Sequence, residues 1–111
     1  MNIQYAVNRF GFEKIVVPET SREISGGYTS DLLSDVMANA KEGQVLITIQ
    51  AHKNSIAVAT LIGMPLIIIC NNRPVPDDMR DAAEKEGVAI LRTKKNQFEV
   101  SGIIYQELYC K

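Results

Sequence analysis

Residues 23–40 read EISGGYTSDLLSDVMANA, and this stretch decides the fold that we predict for the chain. An extended segment ends in the glycine pair Gly26-Gly27, and small polar residues follow it. One apolar stripe at helical spacing comes next, made of Leu32, Leu33, Val36, Met37 and Ala40. The stretch therefore predicts a strand and an amphipathic helix, joined at a turn where Thr29 or Ser30 caps the helix.

Four more apolar segments predict strands that alternate with helices along the chain. They are residues 13–17 (EKIVV), 45–49 (VLITI), 66–70 (LIIIC) and 88–91 (VAIL). The LIIIC segment is apolar without interruption, which is typical of a central parallel strand covered on both faces. The order α-β-β-α-β-α-β-α-β-α predicts a three-layer α/β/α sandwich around a mainly parallel sheet of about four to five strands. We expect residues 1–111 to form a single domain.

Composition narrows the classes of partner that the chain could bind. The chain has 111 residues, a net charge of −1, and hydrophobic and charged fractions of 46% and 23%. This balance argues against general binding to nucleic acid or to an anionic membrane, because both require a basic face. Residues 92–95 (RTKK) are the only candidate basic patch. No signal peptide is visible and no apolar run approaches the ~20 residues that span a bilayer, so we expect a cytoplasmic protein.

The sequence contains no motif that predicts catalysis. Cys70 and Cys110 share no CxxC spacing, and phosphate-loop, dinucleotide-binding, zinc-protease and hydrolase motifs are absent. His52 is the single histidine and lies in a polar turn away from any nucleophile motif, so an exposed or helix-capping role is its simpler interpretation. We predict no catalytic residue, no metal site and no cofactor.

A ligand site is predicted where the parallel strands end. Ligands of open α/β sheets collect at the carboxyl ends of the strands, and helix N-termini there favour phosphate or carboxylate groups. The segments at these ends are residues 26–31, 50–54, 70–73 and 92–96, with positive charge from Lys53, Arg73 and Arg92. The candidate ligand-binding residues are Gly26, Gly27, Ser30, Asp31, Asp35, His52, Lys53, Asn71 and Asn72.

Structural roles are the alternative interpretation of these residues. The glycine pair could form a bulge or a tight bend. Asp31 and Asp35 lie one helical turn apart and could act as helix-end charges instead of a metal or base pair. Residues 55–62 are small and apolar nearly all round, which favours burial on several sides or contact with a second subunit. We interpret the aromatic stripe of the C-terminal helix as core or subunit-interface packing.

The segments SGGYTSDLLSDVMANA, VLITIQAH, GMPLIIIC and EGVAILRT together resemble the DRTGG domain family, over residues 15–109. The resemblance implies a three-layer α/β/α domain similar to the N-terminal domain of HPr kinase. It does not imply kinase activity, because the phosphate-binding loop of that kinase belongs to a separate domain. In larger proteins such domains accompany nucleotide-sensing CBS pairs and resemble regulatory, dimer-forming modules. Stand-alone members resemble genes found beside iron-only hydrogenase subunits, which implies a link to redox metabolism.

The chain departs from the family pattern at two turns. His52-Lys53 stand in place of an Asp-Arg pair, and Cys70-Asn71-Asn72 stand in place of Thr-Gly-Gly. Asparagine tolerates left-handed turn geometry, so the second loop can keep its shape. A ligand that relies on close approach to the glycines would be affected by this change.

Taken together, the residues and the resemblance predict a non-catalytic regulatory or interaction module of the DRTGG type that forms a homodimer. The first alternative is a sensor that binds a nucleotide or another anionic metabolite at the carboxyl edge of the sheet. The second alternative is an accessory protein of an iron-only hydrogenase system, with a protein partner in redox metabolism.

Overall fold

The computed structural model describes residues 1–19 and 22–110. The order of elements is the predicted one. The elements are α1 (Ile3–Phe10), β1 (Glu13–Val16), β2 (Gly26–Thr29), α2 (Leu33–Asn39), β3 (Gln44–Thr48), α3 (Lys53–Ile62), β4 (Leu66–Ile69), α4 (Asp77–Glu86), β5 (Ala89–Arg92) and α5 (Gln97–Tyr109). Among these residues, no helix is long and apolar enough to cross a membrane.

The strands form one five-stranded sheet in the order β1-β5-β4-β3-β2. Strands β2, β3, β4 and β5 run parallel, and β1 pairs with β5 in the antiparallel direction. Leu46 of β3 lies opposite Ile67 of β4, and Ile67 lies opposite Ile90 of β5. The prediction of a mainly parallel sheet is therefore confirmed.

Helices cover both faces of the sheet, as the LIIIC segment predicted. Side chains of β4 alternate between the two faces because successive strand residues point in opposite directions. Ile67 and Ile69 enter a cluster with residues of α2, α3 and α4. Leu66 and Ile68 enter a second cluster with residues of α1 and α5. All four side chains are fully buried, so the three-layer α/β/α prediction is confirmed.

Two local predictions around the opening stretch are wrong. The glycine pair begins strand β2 and does not end it. Helix α2 has Leu32 as its N-cap and lacks a side-chain cap hydrogen bond, so neither Thr29 nor Ser30 caps it. The Ser30 hydroxyl instead accepts a hydrogen bond from the Leu32 N–H, at 3.2 Å, which stabilises the turn before the helix.

The apolar helix and the aromatic stripe have different surroundings. Helix α3 packs between α2 and α4, and its buried residues include Ile56, Val58 and Ala59. Its apolar character is thus explained by burial within the chain. The stripe on α5 is solvent-exposed: Phe98 is 87% exposed, Tyr105 61% and Tyr109 56%. These three side chains are therefore not core residues, and an interface role for them stays a prediction.

Candidate functional site

The carboxyl ends of the four parallel strands lie at one edge of the sheet. The strands end at Thr29, Thr48, Ile69 and Arg92, and antiparallel β1 begins at this edge with Glu13 opposite Arg92. Ser30, Asp31, His52, Lys53, Asn71 and Asn72 all follow a strand end at this edge. Gly26 and Gly27 lie opposite Gln44 and Val45, at the amino ends of β2 and β3. The glycine pair is therefore separated from the other candidates by the length of a strand.

Asp31 links three parts of the fold through one carboxylate oxygen. Its Oδ1 accepts hydrogen bonds from the Thr48 hydroxyl, the Ile49 backbone N–H and the Gln97 side-chain amide, each at 2.9 Å. Thr48 is fully buried, and Gln97 begins α5. The geometry thus gives Asp31 a structural role at the end of β3.

Asp35 faces different partners from Asp31. Its carboxylate accepts hydrogen bonds from the Tyr28 hydroxyl and the Asn39 side-chain amide, both at 2.9 Å. The hydrogen bond from Tyr28, followed by those from Ser30 and Asn39, lowers the pKa of Asp35, because they favour the charged form. The two aspartates thus do not share partners, and among the described residues no cluster of three or more His, Cys, Asp or Glu could hold a metal ion.

His52 and Lys53 begin helix α3. His52 is the N-cap, and its Nδ1 accepts a hydrogen bond from the Asn54 N–H at 3.0 Å, which confirms the helix-capping interpretation. Lys53 lines a cavity of about 390 Å³ between α3 and α4, together with Ala82 and Glu86. Lys53 is therefore directed towards α4, and it does not line the cavity that contains Asn72.

Asn71 and Asn72 both adopt the left-handed conformation, with φ angles of 58° and 51°. Asparagine therefore takes the left-handed geometry that we expected of it here, and the preservation of the family's loop shape stays a prediction. The Asn71 N–H donates to the Lys95 carbonyl at 3.0 Å, and the Asn72 N–H donates to the Thr93 carbonyl at 2.8 Å. These bonds fasten the loop after β4 to the loop after β5, so the two loops form one surface.

A basic cavity of about 270 Å³ lies on this surface. It is lined by Phe10, Gly11, Glu13, Asn72, Arg92, Thr93, Lys94 and Lys95. We call it the edge cavity. Of the residues predicted for a ligand site, Asn72 is the one that lines it. The sequence predicts a strand-end loop over residues 92–96 but does not single out Lys94 and Lys95 as site residues. Their position directly after the VAIL strand was the available signal.

The charges of the edge cavity are unevenly paired. Arg92 donates to both carboxylate oxygens of Glu13, at 2.9 and 3.1 Å, and this contact lowers the pKa of Glu13. Within residues 1–19 and 22–110, neither Lys94 nor Lys95 forms a salt bridge. The positive charges of Lys94 and Lys95 are therefore available to an anion that binds beside the end of β5.

Cys70 lies beneath the edge and is fully buried. Burial, followed by the negative charge of Asp31, raises the pKa of the Cys70 thiol to about 11. A thiol with such a pKa stays protonated near neutral pH, and the thiolate is the reactive form. Cys70 is thus suited to packing and not to nucleophilic catalysis.

Comparison with known proteins identifies relatives of this chain. The family described as HPr Serine kinase N terminus matches residues 41–108. The HPr kinase/phosphorylase of Streptococcus uberis is 42% identical over 40 residues, which is 36% of this chain. The match covers 13% of that enzyme, so this chain corresponds to a small part of it.

A solved structure shares the fold. It contains the CBS and DRTGG domains of the regulatory region of Clostridium perfringens pyrophosphatase, complexed with the activator diadenosine tetraphosphate. The TM-score is 0.75 at 14% sequence identity, and the match covers 96% of this chain and 46% of that one. The predicted resemblance to DRTGG and HPr kinase N-terminal domains is therefore confirmed.

Proposed function

Because the chain belongs to the family of HPr serine kinase N-terminal domains, we propose that it is a non-catalytic regulatory module that binds an anionic, nucleotide-like ligand at the carboxyl edge of its sheet. The edge cavity is the observation that carries this proposal. It combines two lysines that form no salt bridge with any described residue, the hydrogen-bonded Asn71-Asn72 loop and a position at the strand ends, where ligands of α/β sheets collect.

The charge distribution along the edge favours one end of it. Asp31 and Asp35 lie near β2 and β3, where their carboxylates would repel a phosphate group. Lys94 and Lys95 follow β5, and the Glu13 carboxylate that lines the edge cavity beside them is paired with Arg92. An anion is therefore attracted to the β5 end and repelled from the β2 end.

Ligand binding can be tested by calorimetry with inorganic tripolyphosphate, ATP and diadenosine tetraphosphate. The last compound is included because the regulatory region of the clostridial pyrophosphatase was solved with it. We expect the double variant Lys94→Ala/Lys95→Ala to bind about tenfold more weakly, which corresponds to about 1.4 kcal/mol. The matched control Lys41→Ala/Lys85→Ala removes two exposed lysines elsewhere and should bind like the wild type. Equal affinity of the wild type and the Lys94/Lys95 variant would contradict the proposal.

Homodimer formation is a second candidate, supported by the exposed face of α5. Phe98, Tyr105 and Tyr109 lie at helical spacing on one helix and are all more than half exposed. Exposed aromatic side chains that cluster on one face are enriched in interfaces. We expect sedimentation equilibrium to show a dimer at tens of micromolar, and Phe98→Ser/Tyr105→Ser to be monomeric. A monomeric wild type at that concentration would argue against the dimer.

The link to a hydrogenase system stays a prediction that rests on the resemblance alone. Within the described part of the chain, Cys70 is buried and Cys110 is exposed, and both are free thiols. A pull-down from the source cell that recovers no redox protein would contradict this alternative.

A further inference from the structure

A second and larger cavity adjoins the edge cavity. It has a volume of about 480 Å³ and lies between α1 and α5. Its lining includes Arg9, Phe10, Lys95, Ile103 and Gln106. We call it the interhelix cavity. Resting on the function proposed above, we infer that the anionic ligand is a nucleotide whose phosphates lie in the edge cavity and whose base lies in the interhelix cavity.

The two cavities meet at shared side chains. Phe10 and Lys95 line both of them. A ligand held by Lys94 and Lys95 can therefore extend past Phe10 towards α5. Arg9 lies in the last turn of α1 and places its guanidinium 5.7 Å from the centre of the Phe10 ring. This pair adds a cation and an aromatic surface at the junction.

The size of each cavity agrees with this division of the ligand. Small-molecule sites typically have volumes of about 300–1,000 Å³. The interhelix cavity, at about 480 Å³, lies in this range, whereas the edge cavity, at about 270 Å³, lies below it. The edge cavity thus suits a phosphate chain, and the interhelix cavity suits a larger ring system.

The lining of the interhelix cavity suits a ring with apolar faces and a polar edge. Ile103 supplies apolar surface, and Gln106 supplies an amide that can both donate and accept hydrogen bonds. A nucleobase meets these conditions because it has apolar faces and a polar edge, and its faces stack on aromatic side chains.

Calorimetry with four probes tests the binding of the base separately from the binding of the anionic group at the edge cavity. The probes are inorganic tripolyphosphate, ATP, GTP and adenosine. In the wild type we expect ATP or GTP to bind about tenfold or more tightly than tripolyphosphate, because the base adds contacts. Adenosine alone should bind weakly, since it lacks the phosphates that Lys94 and Lys95 attract.

A cavity-filling variant then tests the location of the base. Ile103→Trp should reduce the affinity for the nucleotide to that for tripolyphosphate and leave tripolyphosphate binding unchanged. Leu61→Trp is the matched control, because Leu61 is exposed on α3 and does not line the interhelix cavity. Gln106→Trp, at an exposed lining position, is the substitute if Ile103→Trp does not fold.

Two results would overturn the inference and leave the proposed function intact. One is equal affinity of the wild type for nucleotides and tripolyphosphate. The other is an unchanged nucleotide preference in folded Ile103→Trp and Gln106→Trp. If the wild type binds none of the charged probes, the proposed function itself fails, and this inference fails with it.

Discussion

Replacing Asp31 with alanine should lower the free energy of unfolding by about 2–4 kcal/mol. The substitution removes the acceptor of three hydrogen bonds at once. It leaves the hydroxyl of fully buried Thr48 and the partly buried N–H of Ile49 without this partner. A buried polar group that loses its hydrogen-bond partner carries the full cost of its desolvation. The expected loss in the free energy of unfolding is therefore large for a side chain at the edge of the sheet.

Urea denaturation of two further variants tests the cause of this loss. Asp31→Asn keeps a side-chain oxygen but loses the charge, so it should cost about half as much as the alanine variant. Asp35→Ala should cost less than Asp31→Ala, because Asp35 bonds to the exposed Asn39 and to the Tyr28 hydroxyl. If Asp31→Ala were as stable as the wild type, the structural role of Asp31 would be wrong. Ligand binding would then be the better interpretation of Asp31.

Alanine at Ile67 or at Ile68 should lower the free energy of unfolding by about 2–5 kcal/mol in either case. The two residues are neighbours on β4 but point to opposite faces of the sheet. Both are fully buried, so each substitution leaves a cavity that the surrounding core fills only in part. Losses of similar size are the direct consequence of a sheet covered on both faces.

Leu61 is the matched control for these core variants. It is 71% exposed on α3, so Leu61→Ala should change the free energy of unfolding by no more than about 0.5 kcal/mol. Chemical denaturation of the three variants under identical conditions provides the comparison. A large loss at Ile67 with a negligible loss at Ile68 would mean that α1 and α5 do not close the second face.

The order of the elements and the three layers could be predicted from the sequence because both are encoded locally. Strand β4 is apolar at every position, and the helices repeat their apolar residues at helical spacing. Each pattern reports which faces of an element need to be buried. The conformation of Asn71 and Asn72 was predictable for the same reason, since it depends on the residue type at the turn.

The candidate site depended on contacts between residues that are distant in the chain, and only the tertiary structure determined these. Asp31 receives its third hydrogen bond from Gln97, which is 66 positions away. Arg92 pairs with Glu13 across 79 positions, because β1 joins the sheet beside β5 and in the antiparallel direction. The same placement of β1 brings Phe10 beside Lys95 and so joins the two cavities. The spacing of apolar residues indicates which face of a helix or strand is buried, but it does not specify which other element covers that face. The sheet order therefore placed the basic cavity beside β1 and after β5, and the register of β2 with β3 placed the glycine pair at the other end of the strands.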